Sequence, residues 1–331
     1  MSARFRPAES ERGAALLTVL LLVAITGVIA ASAFDRLRLS SSLAANFAAT
    51  ERARGLATGV ENLLLLTIDD MLARGGARTT LAGGWNGASR RIPVAGGVAN
   101  ARVWDGGNCF NLNSLVQSPD GRATTARPGG IAQFAGLMFA LGVPEGDAQR
   151  IAAAAADWAD SDDVSLPGGA EDNLYLSRPR PHRAANTLFA EPSELRAVEG
   201  MTGEVYARVR PLLCALPIAE LSPLNVNMLS AEQAPLLAML APRQLGVEAA
   251  HRVIAARPPG GWSDMGEFWR IEALSEIDVP LDVRLQPQLK TQWFALEIDV
   301  EMSGAELSET ALVDARLQPA RLVVRRFGAD E

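Results

Sequence analysis

The sequence predicts an α+β fold: one long N-terminal helix laid on a small antiparallel sheet, with a large all-α region inserted between two groups of strands. Three observations carry this. The first is an uncharged run, Gly13–Phe34, that continues into a proline-free stretch with helical spacing of apolar residues. The second is a pair of short alternating regions, one after residue 90 and one after residue 292, broken by glycine turns. The third is a series of capped helical patterns between them. With 331 residues, 48% of them apolar and 21% charged, the chain has a globular composition.

The 22 uncharged residues from Gly13 to Phe34 are enough to cross a bilayer as a helix. Before them lies Met1–Gly13, where Arg4, Arg6 and Arg12 stand against Glu9 and Glu11. A positive flank stays in the cytoplasm, so the chain after Phe34 is expected on the other side. A secretory signal is the competing reading, with Ala31-Ser32-Ala33 as a loose cleavage site. Against it stand the length of the run and the apolar residues that follow at helical intervals: Leu43, Phe47, Leu56, Val60, Leu63, Leu64, Ile68 and Met71. Gly27, Gly55 and Gly59 weaken this helix by about 1 kcal/mol each relative to alanine.

Strands are expected at Arg90–Val94 and Ala99–Asp105, then at Gln292–Met302, Ala311–Leu317 and Ala320–Phe327, with Arg321, Arg325 and Arg326 on a solvated face. Between the two groups, helices are expected at Gly130–Leu141, Asp147–Trp158, Ser193–Glu199, Gly203–Leu213, Ala231–Leu240, Val247–Ala256 and Asp264–Ile271. Ser193, Ser230 and Ser263-Asp264 are the expected caps.

Composition and motifs narrow the function. A net charge of −7 argues against sequence-independent nucleic-acid binding. Two cysteines rule out a four-cysteine zinc site, and two histidines leave little for histidine catalysis. No G-x-S-x-G, H-E-x-x-H or P-loop motif occurs. His182 and His251 read as surface or packing residues. The region 225–269 has helix-hairpin-helix character, yet its hairpin, Ala241–Gly246, holds one arginine and no lysine.

The acidic loop Asp160–Asp172 is the strongest chemical signal. Asp160, Asp162 and Glu171 fall at positions 1, 3 and 12 of an EF-hand count, but Ser165 replaces the glycine at position 6. Asp160, Asp162, Asp163, Glu171 and Asp172 repel one another unless they are solvated or bridged by a hard cation, and the sequence leaves both readings open.

Glu11-Arg12-Gly13 followed by Ala14–Leu21 resembles the signal of type IV pilins and type II secretion pseudopilins. Further strings resemble, in order, the K-type minor pseudopilins of the type II secretion system: Cys109–Leu115, Asp157–Asp162, Gly169–Asp172, Ala185-Asn186, Glu194–Arg196 and Leu224–Asn227. The resemblance implies a type IV pilin-like fold with a SAM-like or helix-hairpin-helix-like insert. Its divisions would be a prepilin leader at 1–13, a membrane segment at 14–34, periplasmic helix and first strands at 35–112, the inserted domain at 113–285 and the last strands at 286–331. It implies a non-enzymatic subunit of the bacterial inner membrane, its bulk periplasmic, that caps or initiates the pseudopilus. Its partners would be the I- and J-type minor pseudopilins, the major pseudopilin, the prepilin peptidase and the inner-membrane secretion platform, with no nucleic acid. Cleavage is expected between Gly13 and Ala14. Thr18 stands where major subunits of that family carry glutamate. Family members bind Ca²⁺ in the helical domain, which makes Ca²⁺ the natural ion for the acidic loop. In an oxidising compartment Cys109 and Cys214 are expected to pair, closing about a hundred residues for ~4–5 kcal/mol in the chain-entropy model. A membrane-anchored helix-hairpin-helix DNA-uptake protein is the alternative, and a calcium-dependent periplasmic enzyme a third reading.

Overall fold

The computed structural model describes residues 9–119, 121–302 and 304–328, so residues 1–8 of the expected leader lie outside the described residues. Helix α1 runs unbroken from Glu9 to Gly75, 67 residues. At 1.5 Å per residue it is about 100 Å long. Its N-terminal part is long and apolar enough to cross a membrane, with a mean hydropathy of 2.7 in its best window and none of that window buried.

The C-terminal part of α1 packs on a five-stranded antiparallel sheet. We number its strands β1 (Arg90–Val94), β2 (Gly97–Asp105), β3 (Trp293–Met302), β4 (Ala305–Asp314) and β5 (Arg321–Phe327). They lie side by side in that order, so the strands before the insert pair directly with those after it. Alternation sends Ala99 and Ala101 of β2, Phe294, Leu296, Ile298 and Val300 of β3, and Ala311 and Val313 of β4 toward the helix. The helix answers with Ala53, Ala57, Val60, Leu64, Ile68 and Leu72.

This corrects the expected helix face. Leu43, Phe47 and Leu63 are exposed, while alanines 49, 53 and 57 are buried. Close approach of a helix to a sheet selects small side chains, which a count of large apolar residues passes over. The fourth strand also starts at Ala305, six residues before the expected Ala311. Two of the three expected solvated arginines are engaged: Arg325 reaches Glu61 on α1 at 2.6 Å, and Arg326 reaches Glu191 at 2.8 Å in the inserted region.

The insert has its own core. Helix α2 (Pro128–Ala140) packs on α3 (Glu145–Ala159), whose alanines 152–156 are all buried. Small side chains let neighbours close on α3 from several sides at once. Phe110 stacks on Phe134 with ring centroids 4.8 Å apart. Shorter helices follow: α4 (Asp172–Leu176), α5 (Gly203–Val209), α6 (Ala234–Ala238), α7 (Val247–Ala255), α8 (Met265–Trp269), α9 (Glu272–Ser275) and α10 (Leu281–Arg284). The expected helix at Ser193 is a 3-10 turn, Pro192–Ala197, and its capping residue is Glu191 rather than Ser193. Asp264 caps α8 as expected, accepting from Glu267 N at 3.0 Å.

Two short parallel pairings tie the segments that enter and leave the insert to its middle: Phe110-Asn111 with Leu213-Cys214, and Leu224-Asn225 with Pro287-Gln288. Cys109 and Cys214 are joined by a disulfide beside the first pairing, with Cα atoms 5.7 Å apart.

Candidate functional site

The acidic loop begins where α3 ends. Asp157, in the last turn of α3 and fully buried, accepts from Leu166 N at 3.1 Å and from Ala170 N at 2.7 Å, folding the loop back on the helix. Gly169 makes this possible, because a Cβ there would lie 1.9 Å from Asp157 Oδ2. Thr124 fastens the other side: its backbone pairs with Ser161, and its hydroxyl donates to Ala159 O at 3.0 Å.

The five predicted carboxylates do not converge. Asp160 and Glu171 turn inward, 2% and 3% exposed. Asp160 Oδ1 and both Glu171 carboxylate oxygens lack a hydrogen-bond partner among the described residues. Asp162 and Asp163 stay exposed at the rim; Asp162 accepts from Val164 N at 2.9 Å. Asp172 is turned aside and neutralised by Arg183 at 2.5 Å. Among the described residues, no three His, Cys, Asp or Glu side chains stand close enough to hold a metal ion as placed.

Burial and like charge dominate the electrostatics of the cluster. Burial, and then the charges of Asp162, Asp157 and Glu171, push Asp160 up to about 7. Burial, then Asp157 and Asp163, push Glu171 up to about 7. Burial raises Asp157 to about 6 against the pull of its two backbone donors. The donor set is all oxygen, with two buried carboxyl groups short of partners, and this chemistry fits a hard cation such as Ca²⁺. Two further members of the neighbourhood stood in the sequence only within strings of family resemblance, with no site role assigned. Asp157 shapes the loop, and Asn186 presents a buried, unpartnered Oδ1 beside it while its N donates to Trp158 O at 3.0 Å. The positive φ of Asn186, 47°, is a backbone feature that no sequence pattern shows.

The other candidates fall as follows. Gly13 and Ala14 lie exposed within α1, and the Thr18 hydroxyl donates back to Ala15 O at 2.9 Å. In the hairpin 241–246, Arg243 pairs with Glu145, Gln244 bonds Asp278, and Pro242 packs against Gly136. Its one cation is thus engaged within the chain. His182 sits against Tyr175 and Trp158, with ring centroids 5.0 and 6.0 Å away. A cleft of about 940 Å³ between α2 and the hairpin is mainly apolar, and its charged lining among the described residues is the paired Glu145 and Arg243.

Asparagines form a second set with clear roles. Asn113 donates to Phe189 O and Leu216 O at 3.0 and 2.8 Å and accepts from Phe189 N at 2.7 Å. Asn111 accepts from Leu216 N at 3.0 Å and donates to the carbonyls of Ile218 and Glu220. Asn108 and Asn225 bond each other, and Asn225 also bonds Thr79 and Thr291, where the chain returns to the sheet. The strings Cys109–Leu115 and Leu224–Asn227 are therefore the pins of the insert.

A long helix whose N-terminal part is a candidate membrane anchor, packed on a small antiparallel sheet beside a pinned helical insert, defines a protein of the pilin-like class. Family models described as "Type II secretion system (T2SS), protein K" match residues 108–218 and 224–292. Type II secretion system protein K of Pectobacterium carotovorum subsp. carotovorum is 30% identical over 319 residues, covering 96% of this chain and 97% of that protein. The Klebsiella pneumoniae protein K is 31% identical over 318 residues with the same coverage. A chain in the crystal structure of the GspK-GspI-GspJ complex of the type 2 secretion system from enterotoxigenic Escherichia coli superposes with a TM-score of 0.73 at 28% identity, covering 85% of this chain and 97% of that one. The chain belongs to the type II secretion system protein K family.

Proposed function

We propose that this chain is a non-enzymatic minor pseudopilin that initiates or caps a periplasmic pseudopilus together with I- and J-type partners. The observation that carries it is the likeness, over nearly the whole of that chain, to a structure solved as a complex with GspI and GspJ. In this reading α1 anchors the protein in the inner membrane, the peptidase cuts between Gly13 and Ala14, and the sheet and insert stand in the periplasm. The α6–α7 hairpin serves as a helix-hairpin-helix-like packing module, its arginine committed to Glu145. That engagement, with the net charge of −7, speaks against DNA uptake.

Ca²⁺ completes the acidic loop in this reading. Asp160 and Glu171 would hold it from inside, Asn186 Oδ1 beside them, and Asp162 and Asp163 from the rim. When bound it supplies the positive charge that lets the buried carboxylates ionise together. The protein's own part is to fix that loop through Asp157, Gly169 and Thr124. Co-expression of the chain with the I- and J-type pseudopilins of the same system tests the assignment. A stable complex containing all three supports it, and a chain that purifies alone under conditions where I and J associate contradicts it.

A further inference from the structure

Glu309 occupies a position that strand alternation reserves for an apolar residue. On β4 it faces α1 between Leu307 and Ala311, fully buried, with Ile298 and Phe327 as its neighbours across the sheet. Opposite it on α1 stands Glu61, 2% exposed. One cation serves both. Arg325 of β5 grips Glu61 with two bonds, Nε–Oε2 at 2.7 Å and a terminal nitrogen to Oε1 at 2.6 Å. The same Nε is 3.6 Å from Glu309 Oε1, beyond hydrogen-bond range. The other charged group nearby on α1 is Arg54, which pairs with Glu51 and lies over the Phe327 ring at 5.5 Å. Glu297 and Asp299, flanking Ile298, project to the far face, where Arg102 meets them.

Two buried carboxylates against one guanidinium, itself about one third exposed, leave one negative charge unmatched, which burial of the carboxyl groups penalises. A single proton removes the mismatch: one carboxyl O–H then donates to the facing carboxylate, and the cluster is neutral. We infer that Glu61, Glu309 and Arg325 form a proton-dependent clamp between α1 and the sheet, closed when the Glu309 carboxyl is protonated and donates to Glu61. Burial and the adjoining Glu61 push Glu309 up to about 7 from an ordinary 4.5, against the pull of Arg325. The closed state therefore holds the proton more tightly than the open one. Its stabilisation is full below about 4.5, declines as pH rises and is lost above about 7.

Hydrogen exchange of α1 amides 57–65, in the full-length chain in detergent micelles and corrected for intrinsic rates, tests this between pH 5 and 8. The opening equilibrium should rise by up to about tenfold per pH unit and level off above about 7. Glu309→Gln, whose amide donates to Glu61 at every pH, should make it flat. A flat wild-type profile, or a Glu309→Gln profile with the wild-type slope, would overturn the clamp. So would a uniform loss of protection with the slope retained, which is what a merely structural role gives. Carboxyl-¹³C labelling of glutamate supplies a readout that does not depend on that variant folding. In a Glu171→Gln background, which removes the other glutamate displaced upward, one resonance should titrate well above the ordinary range. Its absence would overturn the proposal.

Discussion

The seam between α1 and the sheet is filled by side chains at regular intervals, whereas the insert is held by asparagines, a glycine and a buried aspartate that follow no period. Ala53, Ala57, Val60, Leu64, Ile68 and Leu72 repeat every three or four residues, and strands β2, β3 and β4 answer every second residue. Asn111, Asn113 and Asn225 instead bond loops about 65 to 145 residues away. A repetitive seam spreads its stabilisation over many modest contacts. A pinned domain concentrates it in a few polar groups, each of which strands several partners when removed.

The largest expected effect follows from that concentration. Asn113→Ala leaves the Phe189 N–H and C=O and the Leu216 C=O without their partner. At roughly 1–3 kcal/mol for each unsatisfied buried group the cost is about 3–9 kcal/mol. Chemical denaturation with a probe in the insert measures it; a loss below about 1 kcal/mol would show that the pins are dispensable. Leu64→Ala in the repetitive seam should cost about 3 kcal/mol, within the usual range for a leucine truncated in a core. Its effect should appear in exchange of α1 and the sheet while the insert stays protected. Equal loosening of both regions would break the distinction drawn between them.

Calcium should act on the insert alone. Binding to the native state alone stabilises by about 2.7 kcal/mol at a hundredfold excess over Kd. Melting of the insert should rise with Ca²⁺ and fall with chelator, and the seam should not respond. An Asp160→Ala/Asp162→Ala double variant should abolish the response. A variant that keeps all of it would remove this loop as the site.

Legibility in the sequence divides along the same line. The membrane-length run and the alternating strands are periodic, so α1 and the sheet could be placed from residue pattern alone. The alanine face of α1 could not, because close packing rewards small size, which hydrophobicity does not rank. Glu309 was invisible for a related reason: alternation marks its face as buried, and only Arg325 and Glu61 from distant segments explain a carboxyl there. In the acidic loop, residue type pointed to Asp160 and Glu171, which do turn inward. It could not tell them from Asp172, whose charge is met by Arg183 beyond the loop, nor give a site role to Asn186, which a backbone bond to Trp158 O holds there.

In the proposed function this subunit stands at the end of an assembly. Thr18 supports it, since an uncharged residue leaves no carboxylate in the bilayer needing a neighbour's amine. An unpaired carboxylate there costs about 2.5–3.5 kcal/mol on insertion scales. The insert supports it as well, because its bulk would crowd a repeating shaft. Labelled imaging of assembled pseudopili tests the claim most directly. Signal confined to one end of each fibre is the predicted result, and signal spread evenly along the shaft would contradict it.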